Sequence, residues 1–159
     1  MSSLVPGTTA TLMRRALEAA TTGLVHHGGP FGALVADDQD RIVAVGVNVV
    51  ILGSDPTAHA EVAAIRRATA MRRSYRLADC TLVTTCAPCI MCTGAIHWAG
   101  IRRVVAGARA SDAQAVGFVE GPLGFDAAAF LRARGITYEV DVERDASITL
   151  LRSYRGPTY

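Results

Sequence analysis

Pro56-Thr57-Ala58-His59-Ala60-Glu61 and, further on, Cys86-Ala87-Pro88-Cys89-Ile90-Met91-Cys92 are the stretches on which the reading of this chain turns. The second stands about one predicted helix and one predicted strand after the first, so an imidazole, a carboxylate and a run of thiols can meet in space. Zinc is satisfied by three protein donors when its fourth position is left for water, and one His with two Cys is such a set. Pro88 favours the first turn of a helix, and Cys89 and Cys92 at i and i+3 then share one face. The helix N-terminus also favours their thiolate forms. His59 opens a second apolar-periodic run through Val62, Ile65 and Ala68, with Glu61 two residues on. A carboxylate beside metal-bound water can take its proton and later deliver it to a leaving group.

The rest of the sequence narrows the setting. A chain of 159 residues with 50% hydrophobic residues is expected to form one domain, residues 1–159, large enough to bury its core without staples. No run is apolar enough to span a bilayer, and Met1 to Gly7 lacks the charged start and apolar core of a signal peptide. All four cysteines fall between Cys80 and Cys92, which argues against a disulfide scaffold and for a reducing, cytoplasmic setting. Every basic residue is Arg, yet the net charge is only +2 and the Arg pairs are scattered. That pattern reads as solvated surface ahead of a nucleic-acid footprint.

Periodicity orders the elements. Leu12, Ala16, Ala19 and Ala20 predict a helix over Thr9–Thr22, with Thr8 or Thr9 as cap and Gly23 past the end. Phe31–Ala36 and Arg41–Asn48 read as a hairpin turned by Asp37 to Asp40, and the adjacent His26 and His27 as loop residues. The His59 helix, a strand over Cys80–Thr85 and the Cys89 helix ending near Gly100 follow. A strand over Ile101–Ala108, a helix over Asp126–Arg134, a strand over Ile136–Val142 and a helix over Asp145–Ser153 complete the chain. The expected fold is α/β, a three-layer α-β-α sandwich around a mixed five-stranded sheet, because parallel strands need helical crossovers. Such sheets bind ligands beyond the carboxyl ends of their parallel strands, where Cys89 would stand.

The H-x-E and P-C-x-x-C pair resembles the cytidine-deaminase-like superfamily of zinc deaminases. The resemblance puts one zinc ion on His59, Cys89 and Cys92 and makes Glu61 the proton shuttle; Ala87 departs from the Glu or Ser usual before Pro-Cys. Gly29 to Ala33, Asn48, Asp55 to Val62 and Gly94 to Ala99 look like bacterial guanine deaminases. That likeness implies that Asn48 binds the base edge, that Phe31 and Trp98 flank the ring, and that backbone near Ala60 and Cys89 holds the rest. On its own pattern the lone Trp98 would read as core. Ser111 to Glu120 also resembles the guanine enzymes, and there Glu120 would bind the amide edge and relay protons. The tail, about 145–159 and ending in Tyr159, would form a lid, in some relatives exchanged between the two subunits of a homodimer.

Within the same chemistry, Met91 to Ile96 and Leu131 to Gly135 also resemble fungal-type cytosine deaminase, so cytosine or another small aminated heterocycle or nucleoside is the alternative substrate. A structural zinc site with Cys86 as fourth ligand is the non-enzyme reading. An iron–sulfur cluster would need a cysteine where Ile96 stands.

Overall fold

The computed structural model describes residues 8–122 and 124–159. The Met1–Gly7 start, on which the signal-peptide expectation rests, lies outside the described residues. Leu12, Met13, Ala16, Leu17 and Ala20 form the buried face of α1 (Thr9–Val25). Its free N-terminus is capped by Thr8, whose Oγ1 accepts from the Thr11 amide at 3.2 Å. β1 (Gly32–Ala36) and β2 (Ile42–Val47) form the antiparallel hairpin. A single turn, α2 (Val50–Gly53), follows it. Next come α3 (Ala60–Arg72), β3 (Thr81–Cys86), α4 (Ile90–Ala99) and β4 (Arg103–Ala108). α5 (Ala110–Ala115), α6 (Ala127–Ala133), β5 (Thr137–Glu139) and α7 (Arg144–Ser153) end the chain.

The sheet order is β2-β1-β3-β4-β5. β1 runs antiparallel to β2 and β3, whereas β3, β4 and β5 are parallel. Side chains alternate across a strand, so each face builds its own core. Leu34, Ala36, Val83 and Val105 pack with Leu12, Met13, Ala16 and Leu150 of α1 and α7. Ala33, Val35, Leu82 and Val104 pack with Ala64, Ile65, Ile96 and Leu131 of α3, α4 and α6. This is the expected three-layer sandwich with its mixed five-stranded sheet. Among the described residues no helix is long and apolar enough to cross a membrane.

Three elements differ from the sequence expectation. β5 stops at Glu139, because Asp141 and Glu143 adopt left-handed backbone (φ 65° and 53°) that a strand cannot continue. The turns α2 and α5 have no amphipathic period to announce them, being four and six residues long. Gly100 closes α4 with φ 72°, and its amide donates to the His97 carbonyl at 3.0 Å. That left-handed cap turns the chain back into β4.

Candidate active site

Two helices begin at the same place. His59 is the residue before α3 and Cys89 the residue before α4, both with extended backbone and neither spending its side chain on a cap. α3 reaches its position because β2 carries Gly46, where a Cβ would collide with the Ala60 carbonyl. Cys92 stands in the first turn of α4. Nδ1 of His59 lies 3.5 Å from the Cys89 sulfur and 3.7 Å from the Cys92 sulfur. The three donor atoms lie within 4.8 Å of one another, and all three residues are buried. Tetrahedral zinc with Zn–N of about 2.0 Å and Zn–S of about 2.3 Å needs N···S separations of roughly 3.5 Å, so the donor set fits that ion. The thiol of Cys86 faces the Arg109 carbonyl at 3.8 Å, and among the described residues the ligand cluster contains His59, Cys89 and Cys92 alone. A fourth protein ligand is thus not provided by Cys86.

Glu61 is buried beside the cluster. Its Oε2 lies 3.5 Å from the Cys92 sulfur, and its Oε1 is 3.0 Å from the Thr84 hydroxyl on β3. Burial raises its pKa above the ordinary carboxylate value, and the Cys89 charge adds to this, against the opposing pull of His59 and Thr84. The Cys89 thiol is lowered to about 4, first by the hydrogen bond from Cys92 and then, against burial, by His59. Cys92 is displaced upward by that same bond and by burial. Burial works against the His59 charge, yet the Cys89 hydrogen bond and the charge of Glu61 raise its pKa to about 9. Both shifts favour the charged partners, and the two side chains are a donor pair of the kind that binds a dication.

An aromatic wall adjoins the cluster. Phe31 meets Phe118 edge-on at 4.8 Å, and Phe118 meets Tyr159 edge-on at 5.4 Å. The Tyr159 ring lies 5.7 Å from the His59 ring. Asn48 is buried and donates from Nδ2 to the Tyr159 hydroxyl at 2.5 Å, while its Oδ1 accepts from the Val50 amide at 3.3 Å. Tyr159 is held from the other side by the Val119 amide, which donates to its carbonyl at 2.8 Å. Ala60 is fully buried at the start of α3. Glu120 lines a cavity of about 340 Å³ with Pro88, Cys89, Gln114 and Phe118. Burial, and next the charge of Glu61, push its pKa up to about 8.

The structure therefore brings Phe31, Asn48, His59, Ala60, Glu61, Cys89, Cys92, Glu120 and Tyr159 to one end of the sheet. Trp98 is the exception and a correction. Its side chain is 77% exposed on the last turn of α4. Nine residues beyond Cys89 place it roughly 13 Å along the helix, and six residues beyond Cys92 turn it about 240° from that side. It flanks nothing in the site of its own chain, and it is not core either. Of the segment 145–159, α7 packs on the sheet and supplies Ser147, Leu150 and Leu151 to the interior; only the residues after it reach the site. Thr84 and Phe118 are site neighbours that sequence reasoning missed. Adjacent hydroxyls, Thr84 and Thr85, at the site end of a strand that is buried throughout were the signal for the first.

Comparison with known proteins agrees with this geometry. The profile of the cytidine and deoxycytidylate deaminase zinc-binding region matches residues 7–108. Guanine deaminase of Bacillus subtilis (strain 168) is 47% identical over 109 residues, 68% of this chain and 69% of that protein. A tRNA-specific adenosine deaminase of Haemophilus influenzae is 42% identical over 106 residues, 67% of this chain and 61% of that protein. The solved structure of guanine deaminase from Nitrosomonas europaea superposes with a TM-score of 0.87 at 37% identity, covering 94% of this chain and 85% of that one. With the ligand cluster, the adjoining carboxylate and the matched region in agreement, the chain belongs to the cytidine and deoxycytidylate deaminase zinc-binding family.

Proposed function

We propose that this zinc deaminase hydrolyses guanine to xanthine and ammonia. The observation that carries the reading is the buried Asn48 amide beside the Phe31, Phe118 and Tyr159 rings, at the edge of the His59, Cys89 and Cys92 cluster. An amide can donate and accept along the edge of a flat heterocycle whose faces rest on aromatic rings. Similarity to guanine deaminases over two thirds of the chain or more supports the same substrate.

His59, Cys89 and Cys92 would hold the zinc, which supplies a Lewis acid that makes water nucleophilic near neutral pH. Glu61 takes the proton released by that water and hands it to the departing amine. Thr84 steadies one carboxylate oxygen while the other faces the cluster. Asn48 orients the base once the Tyr159 hydroxyl has moved off its amide. Backbone N–H groups at the starts of α3 and α4, near Ala60 and Cys89, hold the ring, and Glu120 takes the guanine amide edge. Ammonia release from a panel of guanine, cytosine, adenine and their nucleosides tests the reading. Guanine should lead by about tenfold or more, the net worth of one hydrogen bond. Cytosine in front would overturn the substrate, and no release from zinc-loaded protein would overturn the enzyme.

The same reading makes the chain a single deaminase domain whose tail closes the site, working in a reducing cytoplasm, where four free cysteines persist. A homodimer is supported by exposed apolar side chains on segments that flank the site: Ile51 and Leu52 after Asn48, Ile90 after Cys89, and Val119 before Glu120. The few contacts that hold Tyr159 suit exchange of the tail between copies. Sedimentation at micromolar concentration, with a Tyr159-to-Asn48 crosslink scored within or between chains, separates these arrangements.

A further inference from the structure

We propose that a cleft at the far end of α4 binds a nucleoside polyphosphate, with the base on Trp98 and the phosphates on Arg76, Arg102 and Arg134. These residues, with His97 and the Gly100 cap, line an open cleft of about 470 Å³, within the range of roughly 300 to 1,000 Å³ typical of ligand sites. All three arginines, His97 and Trp98 are exposed. Among the described residues none of the three guanidiniums meets a carboxylate, although seven other arginines of the chain do. No acidic residue lines the cleft.

The arrangement is not explained by ordinary surface decoration. Arg134 is already laid flat, with its guanidinium 3.5 Å from the Phe130 ring centroid and bonded to the Phe130 carbonyl at 3.1 Å. Arg76 lies across Gly100, where a Cβ would approach its guanidinium to 3.3 Å. Such planar forks recognise phosphate oxygens two at a time. Basic residues near the ends of α4 and α6 also gain modestly from the helix dipoles, but a dipole gives no reason for an indole to stand 77% in water. An aromatic face beside fixed cations is the pairing that holds a nucleotide through stacking and phosphate contact. The cleft lies at the opposite end of α4 from Cys89, so a ligand there is separate from the molecule being deaminated.

The protein has a single Trp, so its emission reports this cleft directly. Zinc-loaded protein is titrated with ATP, adenosine, inorganic tripolyphosphate and a short single-stranded RNA. ATP is expected to quench Trp98, tripolyphosphate to compete without quenching, and adenosine alone to bind at least tenfold more weakly. Raising salt from roughly 50 to 200 mM should weaken ATP binding. R102A and R134A should each lower ATP affinity about tenfold, the worth of one charge-assisted contact, with deaminase rate, zinc content and circular dichroism unchanged. Absence of any ATP response at 5 mM (roughly the weak limit expected of one base and one phosphate contact) overturns the proposal. So does equal ATP affinity in the R76A/R102A/R134A protein, or RNA binding a hundredfold tighter than ATP.

Discussion

The Thr84 hydroxyl stands 3.0 Å from Oε1 of Glu61 and 3.0 Å from the Cys86 carbonyl, so one proton faces two acceptors. It donates to the carboxylate when Glu61 is ionised. When Glu61 is protonated, the acid donates to Thr84 and the hydroxyl turns to the carbonyl. Thr84→Val is expected to lower kcat about tenfold, the worth of one hydrogen bond of about 1.4 kcal/mol. KM and zinc content should hold, and Thr84→Ser should recover most of the rate. Steady-state kinetics with metal analysis distinguishes this from a folding defect, which would lower the active fraction in both variants.

Glu61→Gln keeps the shape of the side chain and removes its capacity to carry a proton. We expect turnover to fall by about 10²–10⁴ while zinc remains at one ion per chain by elemental analysis. Cys92→Ser should do the reverse, losing the metal first. Retained turnover in the Gln variant would sink the role given to Glu61.

Asn48→Ala leaves the base edge without its amide. A site built around a buried polar partner loses about 2 kcal/mol or more when that partner goes, so KM should rise roughly thirtyfold. A change confined to kcat would point to Asn48 acting in the chemistry rather than in binding.

Gly46→Ala tests how the first turn of α3 is placed. Its Cβ would press on the Ala60 carbonyl, costing about 1–3 kcal/mol of stability as an overpacked contact. Because Ala60 adjoins His59, zinc affinity should fall together with the melting temperature. Unchanged metal affinity in a destabilised protein would uncouple the two.

Asp112 links α5 to α7. It accepts from Arg144 at 2.8 and 3.0 Å and from the Arg109 amide at 2.8 Å. The Arg144 bonds, ahead of opposing burial, hold its pKa below the ordinary carboxylate value. The folded state therefore binds the Asp112 proton less tightly than the unfolded chain does. This contribution is fully present above about pH 4, the unfolded pKa, and is lost as pH falls through the lower folded value. Urea midpoints should drop as pH falls below about 4, and Asp112→Asn should flatten that drop while lowering the plateau.

How much could be read beforehand follows from how local each signal is. His59, Glu61, Cys89 and Cys92 are legible because ligand spacing on a helix start is a property of a few neighbouring residues. The three-layer sheet was legible from the alternation of strand and helix periods. Thr84 was not, since its partner Glu61 is 23 residues away and arrives only when β3 packs under α3. The exposure of Trp98 was hidden for the opposite reason. An apolar helix gives no phase to say which side a lone indole takes, and likeness to relatives placed it on the wrong one. The end of β5 depended on left-handed backbone at Asp141, which no propensity of Asp foretells with any force.

His59 and Cys89 lie 30 residues apart in the chain, and the segment between them contains all of α3 and β3. An ion gripping both ends fastens a long loop, as a covalent crosslink would. Chelation should accordingly slacken the α3/α4 seam as well as silence the chemistry, and amide exchange in those two helices should quicken before it does in α1.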